Sequence, residues 1–413
     1  MIFYNQMLVS DKITNAFADS FQNFIAEFTK QQGLINKLED ITSTRFLSRS
    51  IVPHVKHLSS LFNRKEDIQT ADLSPYWASC SNPANLRLAY FLYFMPSNLF
   101  RIASVWSELS RLGFTWKGRN TLNGIEIGAG PASGACGVMA GECFSGINMP
   151  PNGTWALIDR DKPMLKIGEA WARYYFSVLG CKKIPIRSFH RQIDIKEGFL
   201  PPSAKGFNLL VMSYFLNEMK TSQHDIAKSI LKTFEKNFEH ESVFIIVEPA
   251  LRHQSRALLE LRSALLSLAK HRGINWLKII LPCLGHQNCG ALASTDDWCH
   301  EEVSWMRPPY FKLIDRMAGL DRKSLAFSYL VMVKSNASIE ELIPNAFPNH
   351  NNVPVERLVS PVHKTSRGME FYVCSKFGKK KLLHKPSTSI LSLQRGDIIT
   401  TSPNRGIKKV APN

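Results

Sequence analysis

Across 413 residues the chain lacks any run of about 18 apolar residues, which excludes a transmembrane helix. Its start, MIFYNQMLVSDKITNAFADSF, has neither the basic n-region nor the apolar h-region of a signal peptide. That stretch also carries acids and no arginine, unlike a transit peptide. A cytosolic chain with no membrane partner is the expectation. Thiols stay reduced there, so disulfides are not expected for the eight cysteines. Internal repeats and low-complexity blocks are missing as well, which excludes a repeat array.

Acidic residues are in short supply. There are 34 Asp and Glu against 51 Lys and Arg, a net charge of +17. Such a surplus favours a polyanionic partner, most often nucleic acid. Hydrophobic content of 44% and charged content of 21% are ordinary for a globular protein. The length allows two or three domains.

What is present changes texture along the chain. Residues 1–115 show apolar positions at helical spacing, in ITNAFADSFQNFIAEF and LFRIASVWSELSRLG, with Pro96 breaking or starting an element. From 116 to 334, short apolar runs alternate with helical stretches. GIEIGAG, TWALIDRD, KKIPIRSF, FNLLVMSYFLNEM, SVFIIVEP, LKIILP and AFSYLVMVK read as seven strands. The alternation implies a parallel sheet wound on both faces. The last two strands show no clear helix between them and read as an antiparallel pair. Their long connection, 283–325, holds three cysteines. Residues 335–413 begin with the linker IPNAFPNHNNVP and continue in short strands, with 12 Lys and Arg against 5 Asp and Glu. This basic tail reads as a small barrel or an added sheet.

IEIGAGPASG places Glu126, Gly128 and Gly130 at the end of the first strand. Glycine lets backbone approach a ligand closely. Acid-x-Gly-x-Gly at this point is the pattern of S-adenosylmethionine-dependent methyltransferases. A nicotinamide site asks for GxGxxG, and Ser133 breaks it. Ala132 stands where many methyltransferases have a third glycine. Asp159 closes the second strand, where a carboxylate can accept both ribose hydroxyls. Asp194, after the third strand, could meet the adenine amino group. For each acid a helix cap or loop role is the plain alternative. Ser213, Asn217 and Glu218 sit at the end of strand four, where an acceptor substrate would lie. The Asn/Asp-Pro-Pro-aromatic motif of base-amino methyltransferases is absent there, and no general base or other catalytic residue is identifiable.

Cys283, Cys289 and Cys299 fall within PCLGHQNCG and DWCH. His286, His300 or Cys374 could complete a four-ligand site, for zinc or for an iron–sulfur cluster. Unligated thiols in a polar loop are the remaining alternative. Cys80, Cys136, Cys143 and Cys181 read as plain core residues.

Taken in order, these pieces resemble one family. NLRLAYFLYFMPSNLFRIASVWSEL, IEIGAGPASG, LLVMSYFLNEM, IIVEPALRHQSRALLELRSALL, LPCLGHQNCG, DWCH, FSYLVMVK and RLVSPVHKTSRGMEFYVCSKFG carry the likeness, from about 85 to about 400. The family is that of the methyltransferase-like small-ribosomal-subunit assembly proteins of mitochondria and bacteria. The resemblance implies a 4Fe–4S cluster on Cys283, Cys289, Cys299 and Cys374, a retained cofactor pocket, and binding to small-subunit rRNA. It also implies the mitochondrial matrix as the location in a eukaryote.

The reading is an α/β chain with a class I S-adenosylmethionine-dependent methyltransferase (Rossmann-like) domain. A helical region precedes that domain, a cysteine-rich metal-binding insertion interrupts it, and a small basic β domain follows. Glu126, Gly128, Gly130, Asp159, Asp194 and Ser213 are the expected cofactor residues. The expected partner is small-subunit rRNA or a precursor of the subunit, reached through phosphate contacts from the tail and from the helix bearing Arg252, Arg256 and Arg262. We expect a monomer. The rivals are a non-catalytic assembly factor that keeps the fold for shape, and a zinc-stapled methyltransferase acting on another substrate.

Overall fold

The computed structural model describes residues 6–31, 43–62, 82–116, 121–145, 152–347, 355–402 and 406–409. Cys80 and its polar, aromatic surroundings lie outside these residues. Among the described residues, no helix is long and apolar enough to cross a membrane.

Helices α1 (Gln6–Gln31), α2 (Val52–Phe62), α3 (Pro83–Ala89) and α4 (Met95–Arg111) precede the sheet. Pro96 falls in the first turn of α4, where its missing N–H costs nothing. Phe17, Phe21 and Phe24 repeat at helical spacing on α1 and meet the Trp171 ring edge-on at 5.7, 5.2 and 5.3 Å. Trp171 belongs to α6 (Lys162–Val178), so the N-terminal helix shares the core of the sheet domain.

The main sheet runs β3 (Ile186–His190), β2 (Asn152–Asp159), β1 (Thr121–Ile127), β4 (Phe207–Ser213), β5 (Phe238–Pro249), β8 (Ser324–Lys334), β6 (Leu277–Leu281). The β1–β2, β2–β3, β1–β4 and β4–β5 pairs are parallel, whereas β8 is antiparallel to both β5 and β6. An antiparallel strand slotted second from the edge separates this order from the all-parallel nicotinamide-binding sheet. It is the class I methyltransferase-like fold. Both faces are covered, and the strands are accordingly apolar throughout. On one face α5 (Ser133–Ser145) lies against α4 at short range. A Cβ on Gly137 would stand 2.7 Å from the Leu99 carbonyl oxygen, so only glycine lets the helices approach so closely. The other face is covered by α7 (Gln223–Asn237) and α8 (Arg252–His271).

Two expectations change here. Strand four stops at Ser213 rather than running to Met219, and a 3-10 turn, Leu216–Glu218, follows it. The connection between β6 and β8 is not free of helix. It contains β7 (Glu301–Ser304) and the amphipathic helix α9 (Pro309–Ala318), closed by Gly319 in the left-handed conformation. β6 pairs with the Val331–Lys334 end of β8 and β7 with its Ser324–Phe327 end, along one edge of the strand. The cysteine loop spans the gap between them.

The tail forms a second sheet, ordered β10 (His363–Thr365), β11 (Gly368–Ser375), β9 (Val355–Leu358), β13 (Ile398–Ser402), β14 (Gly406–Lys409), with β12 (Gly378–His384) hairpinned onto β11. It has a small core of its own, centred on Phe371, Val373 and Ile399.

Candidate functional site

A cleft of about 1150 Å³, counting its open mouth, lies where the carboxyl ends of β1, β2 and β4 meet. This is the topological switch point of the sheet, where neighbouring chain crossings diverge and leave a crevice. Gly128, Gly130, Asp159, Ser213, Tyr214 and Glu218 are among the residues that line it.

The glycine turn is built for close approach. Gly128 and Gly130 have φ of 68° and 45°. A Cβ at Gly128 would stand 2.5 Å from the Phe215 ring. Ala132 also has positive φ, 61°, so it adopts the conformation of the glycine it replaces and the turn keeps its path. The turn is clamped from behind by α6, where a Cβ on Gly168 would stand 2.4 Å from the Gly130 carbonyl oxygen.

The expected acids part company. Glu126 is fully buried below the turn and does not line the cleft. Its two oxygens accept from the Gly134 and Ala135 N–H groups at 2.7 and 2.8 Å, so it caps α5 and shapes the turn from beneath. Burial pushes its carboxyl up to about 8, against the pull of those two N–H groups. Asp159 does line the cleft. It accepts from Gly130 N at 2.7 Å and Asp161 N at 2.7 Å, tying β2 to the glycine turn. A carboxylate has about four acceptor positions, so two remain for a ligand. Burial raises its pKa. Asp194 lies outside the lining, next to Gln192 and Ile193, which are in it. Its carboxylate caps a 3-10 turn by accepting from Lys196 N at 3.0 Å, the plain alternative weighed from the sequence. Ser213 is buried in the cleft wall, and its hydroxyl has no partner among the described residues.

Several contributors carried little sequence signal. Tyr214 sits at φ 56°, a strained value for an aromatic residue, and the Arg101 guanidinium lies 5.5 Å from its ring centre. Glu248 closes β5 as Glu126 closes β1, an acid ending an apolar run, and that pattern could have revealed it. It accepts from Leu216 N at 2.8 Å and Phe215 N at 3.2 Å, and burial lifts it to about 8. Glu218 faces the cleft, and burial raises it to about 7 although Arg160, 3.1 Å away, pulls it down. Asp161 caps α6 through Met164 N and takes Arg87 at 2.7 Å.

Cys283, Cys289 and Cys299 lie in the loop between β6 and β8, and Cys374 lies on β11. Cys299 is pushed up by burial and then by Cys283, Cys374 and Cys289. Cys374 is pushed up to about 11 by burial, then by Cys283 and Cys289. Burial pushes the Cys283 thiol up, while Arg262 pulls it down. A Cβ on Gly290 would stand 2.3 Å from Lys379 N, so the loop lies directly on the β11–β12 hairpin. The Lys379–Asp297 ion pair, at 2.6 Å, fixes the same contact. Among the described residues, no group of three or more Cys, His, Asp or Glu side chains closes on a single metal-ion position. His286 and His300 are both driven down to about 4, by burial first and then by Arg262 and Arg395 respectively.

The arginines of α8 are engaged with the cysteine loop, although Arg252 stays exposed. Arg252 donates to the Thr295 carbonyl at 2.6 Å and Arg256 to the Ser294 and Asp297 carbonyls at 2.7 and 2.6 Å. Arg262 donates to the His286 and Gln287 carbonyls. They hold the cysteine loop on the sheet domain. The other expected core cysteines differ among themselves: Cys136 is buried, Cys181 is half-buried and Cys143 is exposed.

Among solved structures the chain is similar to the plantazolicin methyltransferase BpumL, with 10% identity, a TM-score of 0.33, and coverage of 69% of this chain and 97% of that one. It is also similar to a putative class I S-adenosylmethionine-dependent methyltransferase from Listeria monocytogenes, with 9% identity, a TM-score of 0.35, and coverage of 79% and 90%. A third is the fibrillarin pre-rRNA processing protein of Methanococcus jannaschii, with 10% identity, a TM-score of 0.25, and coverage of 52% and 67%. These likenesses are distant, and the fold rests on the strand order. No curated protein matches the sequence. Residues 85–387 match the family model described as mitochondrial small ribosomal subunit Rsm22, and the chain belongs to that family.

Proposed function

We propose that this chain is a methyltransferase-like factor of small-ribosomal-subunit assembly. In this reading it binds rRNA, holds S-adenosylmethionine in the cleft, and carries a 4Fe–4S cluster on Cys283, Cys289, Cys299 and Cys374. The observation that carries the cofactor reading is the cleft wall itself. A glycine turn, a carboxylate with acceptor capacity to spare and the unpartnered Ser213 hydroxyl converge at the switch point. A buried hydroxyl without a partner is rare and asks for a ligand or water.

The cofactor supplies an electrophilic methyl group when bound. This chain's residues do the rest. Asp159 accepts ribose hydroxyls, and the Gly128–Gly130 backbone admits the ligand closely. Tyr90 and Tyr214 wall the cleft against water. Glu218, raised to about 7, can take a proton from an attacking nitrogen near neutral pH.

For the metal, the chemistry of the donor set fits. Cys283, Cys289 and Cys299 lie in the loop that rests on the β11–β12 hairpin bearing Cys374, and thiolates are the ligands an iron–sulfur cluster takes. Zinc wants four donors about 2.1–2.3 Å from one point. The cluster is the reading that the resemblance implies, and zinc stays its rival.

One observation favours the non-catalytic rival. Asn217, at the strand-four edge, is oriented to donate to the Tyr214 carbonyl and the Glu248 carboxylate, so its amide is committed inward rather than to a base. Calorimetry with S-adenosylhomocysteine, followed by a tritiated-methyl assay on small-subunit rRNA, separates the readings. Binding with transfer supports the enzyme. Binding without transfer supports the assembly factor. No binding removes the cofactor reading.

A further inference from the structure

Two thiols outside both sites sit against each other. Cys143 is on the last turn of α5, and Cys181 follows α6 in the connection to β3. Their sulfurs approach the same atom, the Leu179 carbonyl oxygen, at 3.7 and 3.6 Å. Neither is a core residue: Cys143 is exposed and Cys181 half-buried. A buried pair would be inert packing, but this one is open to reagents.

We propose that Cys143 and Cys181 are a reversible dithiol–disulfide site whose reactant is a small-molecule disulfide such as oxidised glutathione. The Cys181 thiolate attacks one sulfur of that disulfide and expels the first small thiolate, leaving a mixed disulfide on Cys181. Cys143 gives its proton to solvent and attacks the Cys181 sulfur, expelling the second. Two protein thiols become one disulfide while one small disulfide becomes two thiols, so the electrons balance. The order of attack follows from the contact. Cys143 beside it favours a Cys181 thiolate and brings its pKa to about 7, whereas Cys143 is raised by the same partner.

The fold gives the bond a consequence. The helices it would join begin at the cleft, with Ser133 opening α5 and Met164 on the first turn of α6, both in its lining. The bond fastens their far ends, so it restrains the frame of the cleft without touching a lining residue.

The test uses full-length protein, prepared without oxygen and equilibrated over a range of oxidised to reduced glutathione. Alkylation and peptide mapping follow, with the visible absorption recorded alongside so that any loss of metal at the other four cysteines is seen separately. The expected result is one linked peptide pair, Cys143 with Cys181, two hydrogens lighter and reversed by dithiothreitol. In Cys143→Ser the resolving thiol is gone, so Cys181 should instead accumulate a stable glutathione adduct as the major species. Two results overturn the proposal. One is that both cysteines stay fully alkylated across the range. The other is that each collects glutathione independently in the wild type, with no cross-link.

Discussion

Arg357 grips both oxygens of Glu108, at 2.5 and 3.2 Å, and reaches Glu301 at 2.8 Å. Tyr329 completes the group, donating to Glu108 at 2.7 Å. The four come from α4, β7, β8 and β9, so one buried cluster joins the helical region, the insertion, the main sheet and the tail. Burial alone would raise Glu108, but Arg357 outweighs it and holds the carboxyl below the glutamate range. Glu301, with a single bond to Arg357, stays raised, chiefly by burial.

Removing the cation should therefore cost most at neutral pH. Arg357→Met is expected to destabilise the protein by about 3–5 kcal/mol at pH 7, because two buried carboxylates lose their partner. In the native protein, the stability Glu108 gains from its depressed pKa is present above the unfolded value and lost as pH falls through the folded one. The variant's deficit should accordingly shrink towards pH 4, where both acids can neutralise. Guanidinium midpoints at the two pH values check this, and an equal deficit at both would rule out an electrostatic origin.

In the cleft, Asp159 and Asp194 make opposite predictions. Asp159→Ala should weaken S-adenosylhomocysteine binding by about 10–100-fold, the range for losing charged hydrogen bonds. Asp194→Ala should change it by no more than about twofold. Calorimetry of both variants is the measurement. A large loss in Asp194→Ala would restore the adenine contact read from the sequence.

Protein purified without oxygen should contain about four iron and four sulfide per chain and absorb in the visible blue. Cys374→Ser should lose that band while His286→Ala keeps it. A colourless protein carrying one zinc would replace the cluster with the tetrahedral alternative.

RNA affinity should fall as salt rises. Lys376 lies at the tip of the β11–β12 hairpin beside the exposed Phe377, whereas Lys380 and Lys381 are already paired with Glu356 and Glu370. Changing Lys376 to Gln should shallow the logarithmic salt slope by about 0.7 on single-stranded RNA. Arg256→Gln should leave the slope unchanged and lower the melting temperature, because its guanidinium already serves the loop carbonyls. Filter binding at several salt concentrations decides. A reduced slope in Arg256→Gln would return the α8 arginines to the RNA.

The parts legible in the sequence were those written in local pattern. GIEIGAG gave strand and turn together because an apolar run stops at glycines that need positive φ. The antiparallel pairing of β6 and β8 was legible from the long connection between them. Helix α9 was missed because its ten residues sit among prolines, cysteines and charges that read as loop. The hydrogen bonds of Glu126, Asp194 and the α8 arginines were not legible for one shared reason. Each bonds to backbone N–H or carbonyl groups, which every residue possesses and no sequence displays. Cys143 and Cys181 were taken for core because a cysteine's exposure depends on where its helix ends, not on its neighbours in the chain.

The three α8 arginines also bear on the order of assembly. With their guanidinium groups already gripping the carbonyls of His286, Gln287, Ser294, Thr295 and Asp297, the loop is seated by the protein alone. Under the cluster reading, iron would meet a loop already seated, unlike a zinc finger, whose fold waits for its ion. Amide exchange across 283–299 in iron-free protein should stay slow, and rapid exchange there would mean that the metal shapes the loop.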